Sequence, residues 1–137
     1  MRTVLVGTDF SKGSDRAFAK ACELAQRMGE RVHLLHVVEP VDDPESPDPD
    51  TRKFYEELLA TSEVKLEAEM TENTRPVEVT CSVEIGHRAP TIHRVAEALG
   101  ADLVVLGSNP LKEDSMHRLG VGHRVALTST RPVLLIP

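Results

Sequence analysis

Tryptophan is absent, tyrosine occurs once and phenylalanine three times in 137 residues, so any core must be aliphatic. Cysteine is nearly as scarce. Cys22 and Cys81 lie far apart with no C-x-x-C pairing, which excludes a disulfide framework and leaves two reduced core thiols. No apolar run approaches the ~20 residues that a membrane-spanning helix requires. Met1-Arg2-Thr3 leads straight into Val4-Leu5-Val6 with no signal-peptide apolar region of useful length, so a cytoplasmic address is expected. A basic excess is missing as well. With 22 acidic against 16 basic residues the formal charge is −6, which works against a broad grip on nucleic acid or an anionic membrane. Catalytic signatures are also lacking: there is no G-x-S-x-G elbow, Walker A loop or H-E-x-x-H helix.

What is there fits one soluble globular domain over residues 1–137, with 40% hydrophobic and 28% charged residues. A chain of this length buries roughly two thirds of the surface it exposes unfolded. Strands and helices alternate along it. Residues 3–7 form a short apolar run. Ser11 stands as the N-cap of a helix that carries Phe18, Ala21, Cys22, Ala25 and Met28 on one face and stops at Gly29. Val32 to Val38 reads as the second strand, and Thr51 to about Thr71 as a Glu-rich helix with Tyr55, Leu59, Leu66 and Met70 on one side. A third strand spans Val77 to Ile85. A third helix follows, with Pro90 in its first turn, Ile92, Val95, Ala96 and Leu99 as its apolar face and Gly100 at its end. Leu103 to Leu106 is the fourth strand, a helix is expected near 120–130, and Pro132 to Ile136 is the fifth strand.

Helices between strands imply right-handed crossovers and a parallel sheet covered on both faces: an α/β fold. The first and fourth runs are apolar throughout, as central strands buried on two faces require. The third alternates strictly, with Val77, Val79, Cys81, Val83 and Ile85 on one face and Glu78, Thr80, Ser82 and Glu84 on the other, which marks an edge. The fifth is apolar on both faces yet ends the chain, so a partner subunit is expected to cover it near Val133–Ile136. Glu39 to Asp50 holds four prolines and six acidic residues and reads as a solvated, flexible connection.

In such a sheet ligands bind at the carboxyl ends of the strands, where strand order reverses. That rim holds Asp9, Val37 and Val38, and Gly107-Ser108-Asn109. The helix start at Gly120-Val121-Gly122 should face the same crevice, its free N–H groups favouring an anion. Lys112, His117, Arg118, His123 and Arg124 would add local positive charge. His33 and His36 sit in an apolar strand and read as packed, neutral histidines, and the spacing of His117 and His123 is a poor one for zinc.

Thr8-Asp9-Phe10-Ser11, Leu35-His36-Val37-Val38, Gly86 with Ile92 and Ala96, Gly100-Ala101-Asp102 leading into Leu103-Val104-Val105-Leu106-Gly107-Ser108, and Arg131-Pro132-Val133-Leu134-Leu135-Ile136 together resemble the universal stress protein (UspA) family. The resemblance spans the chain in order. It implies a Rossmann-like five-stranded sheet in the order 3-2-1-4-5, a homodimer through the last strands, and a stress-response role with no established reaction. Many members of that family bind ATP through a loop of the form G-x2-G-x9-G-[ST]. Carried over, Asp9 would lie near the ribose or a metal–phosphate group and Val37 would meet the adenine through its backbone.

Gly107 matches the first glycine of that loop and Gly120 the third, but Pro110 replaces the second and removes a backbone donor. Val121 follows where a hydroxyl should stand. Hydrogen bonds to a charged group are worth ~1.5–3 kcal/mol each, so two losses weaken phosphate binding by roughly two to four orders of magnitude. The sequence therefore favours a non-catalytic homodimeric stress-response module, with no committed cofactor and ATP binding weak or lost. Two alternatives stand beside it. One is an ATP- or AMP-binding switch, with Mg²⁺, whose nucleotide orders residues 107–122. The other is an enzyme, for which no positioned nucleophile or metal site is evident. A phosphoacceptor receiver domain would need an aspartate at the end of the third strand, where Ile85-Gly86 stands.

Overall fold

A computed structural model describes residues 2–41, 43–108 and 120–137. In chain order the elements are β1 (Thr3–Gly7), α1 (Lys12–Met28), β2 (Arg31–Val38), α2 (Pro49–Thr71), β3 (Val79–Ile85), α3 (Arg88–Leu99), β4 (Ala101–Gly107), α4 (Val121–Thr128) and β5 (Val133–Ile136). The five strands make one parallel sheet in the order β3-β2-β1-β4-β5. This is the expected α/β architecture, with β3 at one edge and β5 at the other.

The pleat of the central strands sends successive side chains to opposite faces, and each face is closed by two helices. Val4, Val6, Val32, Leu34 and Val105 meet Ala17, Phe18, Ala21 and Cys22 of α1 and Leu66 of α2. On the reverse face Leu5, Leu35, Val37, Val104 and Leu106 pack with Ile92 and Val95 of α3 and Val125 of α4. Each fully buried aliphatic side chain contributes about 1.5–3 kcal/mol. His33 is buried among them at the β2–β3 edge, bonded through Nδ1 to the Thr80 hydroxyl and through Nε2 to that of Ser82. Burial lowers its pKa, so the packed, neutral reading holds.

Helix α1 is fixed at both ends by its own residues. Ser11 caps it, with the Ser11 hydroxyl accepting the Ser14 N–H at 3.2 Å and the Ser14 hydroxyl accepting the Ser11 N–H at 3.1 Å. Gly29 ends it at φ +70°, and Gly100 ends α3 in the same left-handed way at φ +62°.

Three details depart from the sequence expectation. The acidic, proline-rich connection ends earlier than supposed, because Asp48 caps α2 by accepting the Asp50 N–H at 3.2 Å and Pro49 occupies the first helical position. Within the same connection the Val41 N–H donates to the Tyr55 hydroxyl at 3.1 Å. β3 starts at Val79 rather than Val77, since the Val77 N–H turns back to the Arg75 carbonyl. Met28 and Leu99, assigned to buried faces, are 46% and 40% exposed at the ends of their helices. β5, as expected of an edge strand, is half-buried along its whole length.

Candidate functional site

The carboxyl ends of β1, β2 and β4 open onto a cavity of about 780 Å³. Of the residues named from the sequence, Asp9, Val37, Gly107, Ser108, Gly120, Val121 and Gly122 all line it. His123 lines it too, whereas Arg124 is exposed on α4 outside the lining. Pro110, Lys112, His117 and Arg118 lie outside the described residues.

Close backbone approach shapes the floor. A Cβ added to Gly107 would lie 2.8 Å from the Gly13 carbonyl oxygen, and one on Gly122 would lie 3.2 Å from the Gly107 oxygen. The β4 end, the start of α1 and the start of α4 therefore meet only because these positions carry no side chain. Gly13 is one of several lining residues that sequence reasoning missed. Others are the basic side chains of Lys12, Arg16 and Arg88, brought to the rim by the first two turns of α1 and the first residue of α3. Lys12 was legible, standing next to the Ser11 cap, but nothing local to Arg88 signals that its helix begins at this crevice.

The loop Thr8–Ser11 is held from every side. The Asp9 carboxylate oxygen Oδ1 accepts the Ser11 N–H at 3.0 Å and the Ser14 hydroxyl at 2.8 Å. Partial burial pushes the Asp9 carboxyl up, but these hydrogen bonds outweigh it and hold the group below the ordinary range. Phe10 adopts φ +65°, a left-handed conformation that costs an aromatic residue of order 1–3 kcal/mol. Its N–H donates to the Thr8 hydroxyl at 3.0 Å, its ring lies 4.4 Å from that of His36, and Lys65 Nζ sits 5.5 Å from the ring centroid. His36 bonds through Nδ1 to the Thr8 carbonyl at 2.8 Å, which places its proton on that nitrogen. His36 is thus half-buried support for the loop rather than core packing.

Behind the loop lies a carboxyl that no sequence pattern singles out. Glu69 of α2 is 6% exposed, and the Thr8 hydroxyl donates to its Oε2 at 2.9 Å. Burial pushes Glu69 up to about 7, with the Asp15 charge adding to the effect and the Thr8 hydrogen bond opposing it. Among the described residues, no group of three or more His, Cys, Asp or Glu side chains is placed to hold a metal ion. Nor is any described helix long and apolar enough to cross a membrane.

Geometry and sequence point the same way as comparison with known proteins. The family model of the universal stress protein family matches residues 1–137. The chain belongs to that family. Universal stress protein G of Shigella flexneri is 35% identical over 133 residues, covering 90% of this chain and 88% of the relative. Among solved structures, universal stress protein UspA from Lactobacillus plantarum superposes with a TM-score of 0.76 at 22% identity, covering 99% of this chain and 97% of that one. A universal stress protein solved in complex with cAMP gives 0.71 at 22% identity over 99% and 97% of the two chains. At such identities these structures speak for the fold alone. The Rossmann-like universal stress protein fold is that of this protein.

Proposed function

We propose that this universal stress protein is a non-catalytic, homodimeric stress-response module. Its cavity takes the adenosine part of a nucleotide and grips a triphosphate tail weakly. The observation that carries the reading is the start of α4. Gly120 occupies the N-cap with no side-chain hydrogen bond, Val121 follows it, and both line the cavity. A hydroxyl that could donate to phosphate is therefore missing where the helix begins. Loss of one such bond weakens binding by roughly tenfold or more.

The adenosine half is better served. Leu35, Val37, Ile92 and Leu106 offer an apolar slot, and Asp9 stands at its mouth as an acceptor for ribose hydroxyls. A universal stress protein of the same fold, solved with cAMP, supports an adenine nucleotide bearing a single phosphate as the natural fit.

A second reading, an ATP-dependent switch, is favoured by one observation. Lys12, Arg16 and Arg88 line the cavity, with His123 beside them, and could neutralise a longer anionic tail. Equilibrium binding of AMP, cAMP, ADP and ATP, with and without Mg²⁺, tests the choice. The first reading expects AMP and cAMP to bind at least as tightly as ATP, with no ATP turnover above a protein-free blank. Submicromolar ATP binding that requires Mg²⁺ would establish the switch instead.

A further inference from the structure

Thr8 has a single hydroxyl proton and two acceptors within reach. Oγ1 is 2.9 Å from Oε2 of Glu69 and 3.1 Å from Oγ of Ser14, while it accepts the Phe10 N–H. Ser14 in turn donates to Asp9 Oδ1 at 2.8 Å. A continuous path of hydroxyls therefore joins a buried carboxyl on α2 to the carboxylate at the cavity mouth. Both intermediates, Thr8 and Ser14, are themselves buried and stand on the cavity wall.

We propose that Glu69 is a positioning residue for the cavity, whose protonation, relayed through Thr8 and Ser14, sets how firmly Asp9 is held and makes anionic-ligand affinity rise as pH falls.

When Glu69 is ionised it draws the Thr8 proton to itself, because a carboxylate is the stronger acceptor. The Ser14 hydroxyl then receives nothing from Thr8. When Glu69 takes up a proton it becomes a donor to Thr8 Oγ1 or to Asp15, and the Thr8 proton turns to Ser14. Ser14, polarised by that bond, donates more strongly to Asp9. The same protonation removes one negative charge from behind the loop.

The charged and titratable surroundings leave Glu69 well placed to respond. Asp15 of α1 and Glu72 beyond the end of α2 both favour its neutral form. From β2, His36 faces the Thr8 carbonyl; from β3, Cys81 faces the same helical layer, with Glu63 and Glu67 of α2 near it. Lys65 is directed to the Phe10 ring. Burial is the leading reason that Glu69 titrates close to neutrality, where a modest change in cellular pH alters its charge.

The ligand part of this proposal rests on the nucleotide reading above, while the coupling of the two carboxyls does not. Carboxyl carbon NMR titration of the ligand-free chain, from pH 5 to 8.5, examines the coupling. In the wild type the Asp9 resonance should inflect where Glu69 titrates, and both E69Q and T8V should abolish that inflection. An Asp9 resonance that stays flat while Glu69 titrates would overturn the relay.

Equilibrium binding of cAMP over the same range examines the consequence, since a phosphodiester keeps its single charge throughout. Wild-type affinity should rise roughly three- to tenfold from pH 8 to 6, the effect of one charge at protein-interior dielectric. E69Q should hold the tighter affinity at every pH. Parallel wild-type and E69Q profiles would overturn the link. Absence of cAMP binding at any pH would count against the nucleotide reading and leave the NMR titration to judge the coupling.

Discussion

Glu69 loses most of its hydration between α2 and the loop after β1, and its carboxyl responds by holding its proton to about pH 7 instead of the ordinary 4.5. The consequence for stability has a definite sign. Below about pH 4.5 the group is protonated whether the chain is folded or not, and it contributes no slope. Between 4.5 and 7 the folded state binds more protons than the unfolded one, so stability falls as pH rises, and the loss levels off above 7. Its full size is on the order of 3 kcal/mol. Urea denaturation of wild type and E69Q at pH 5, 6, 7 and 8 should show the difference between them growing in favour of the variant. Two curves with the same pH dependence would contradict the assignment. Glu30 at the opposite end of the sheet is also pushed up to about 7, by burial and by Asp102, but it cancels in this comparison. Gly107 supplies a second residue-scale prediction. A methyl at this position would lie 2.7 Å from the Gly13 carbonyl carbon, which is backbone and has no rotamer to move. G107A should cost about 1–3 kcal/mol by overpacking and lower nucleotide affinity with it, read by urea denaturation and by AMP titration.

Helix α2 shows how much of an element its sequence reveals. Its mean pattern is weakly amphipathic, and only Tyr55, Ser62, Leu66 and Glu69 are buried along its 23 residues. Leu66 is fully enclosed against the sheet and Val64, two residues away, is 67% exposed. L66A should therefore destabilise the protein by about 2–5 kcal/mol, whereas V64A should stay within about 0.5 kcal/mol of wild type. Thermal or denaturant unfolding of the pair checks both, and equal losses would mean that the helix packs on another face. The apolar stripe of Tyr55 and Leu66 was readable from spacing. Glu69 was not, because nothing local distinguishes it from the other glutamates of the helix; its burial is decided by where Thr8 arrives from β1. The strands behave differently. β1 and β4 announce their central places by being apolar on both faces, and β3 announces its edge by alternation, so the sheet order was largely accessible. The site was accessible for the same reason. Asp9 lies two residues beyond β1, Val37 is the last but one residue of β2 and Gly107 ends β4, and parallel pairing brings those strand ends together. Arg88 was inaccessible because its place depends on the turn at Gly86-His87 and on how α3 crosses the sheet.

At the scale of the whole molecule the unresolved balance lies at β5. The Val104 N–H donates to the Pro132 carbonyl and the Ser108 N–H to that of Ile136. Residues 132, 134 and 136 thus turn their backbone towards β4, and alternation directs the amides of Val133 and Leu135 outward. Half-buried aliphatic side chains flank those outward groups along all four residues of the strand, and Leu127 of the adjoining helix is 74% exposed. An edge of this composition, without a charge or bulge to blunt it, favours pairing with a second copy. Sedimentation equilibrium at tens of micromolar should accordingly give twice the 15.1 kDa chain mass. V133P removes an outward N–H while leaving the β4–β5 ladder its donors, a substitution that edge strands tolerate. It should shift the protein to monomer with the far-ultraviolet circular dichroism of the wild type retained. A wild-type monomer at that concentration would remove the dimer from the proposed function.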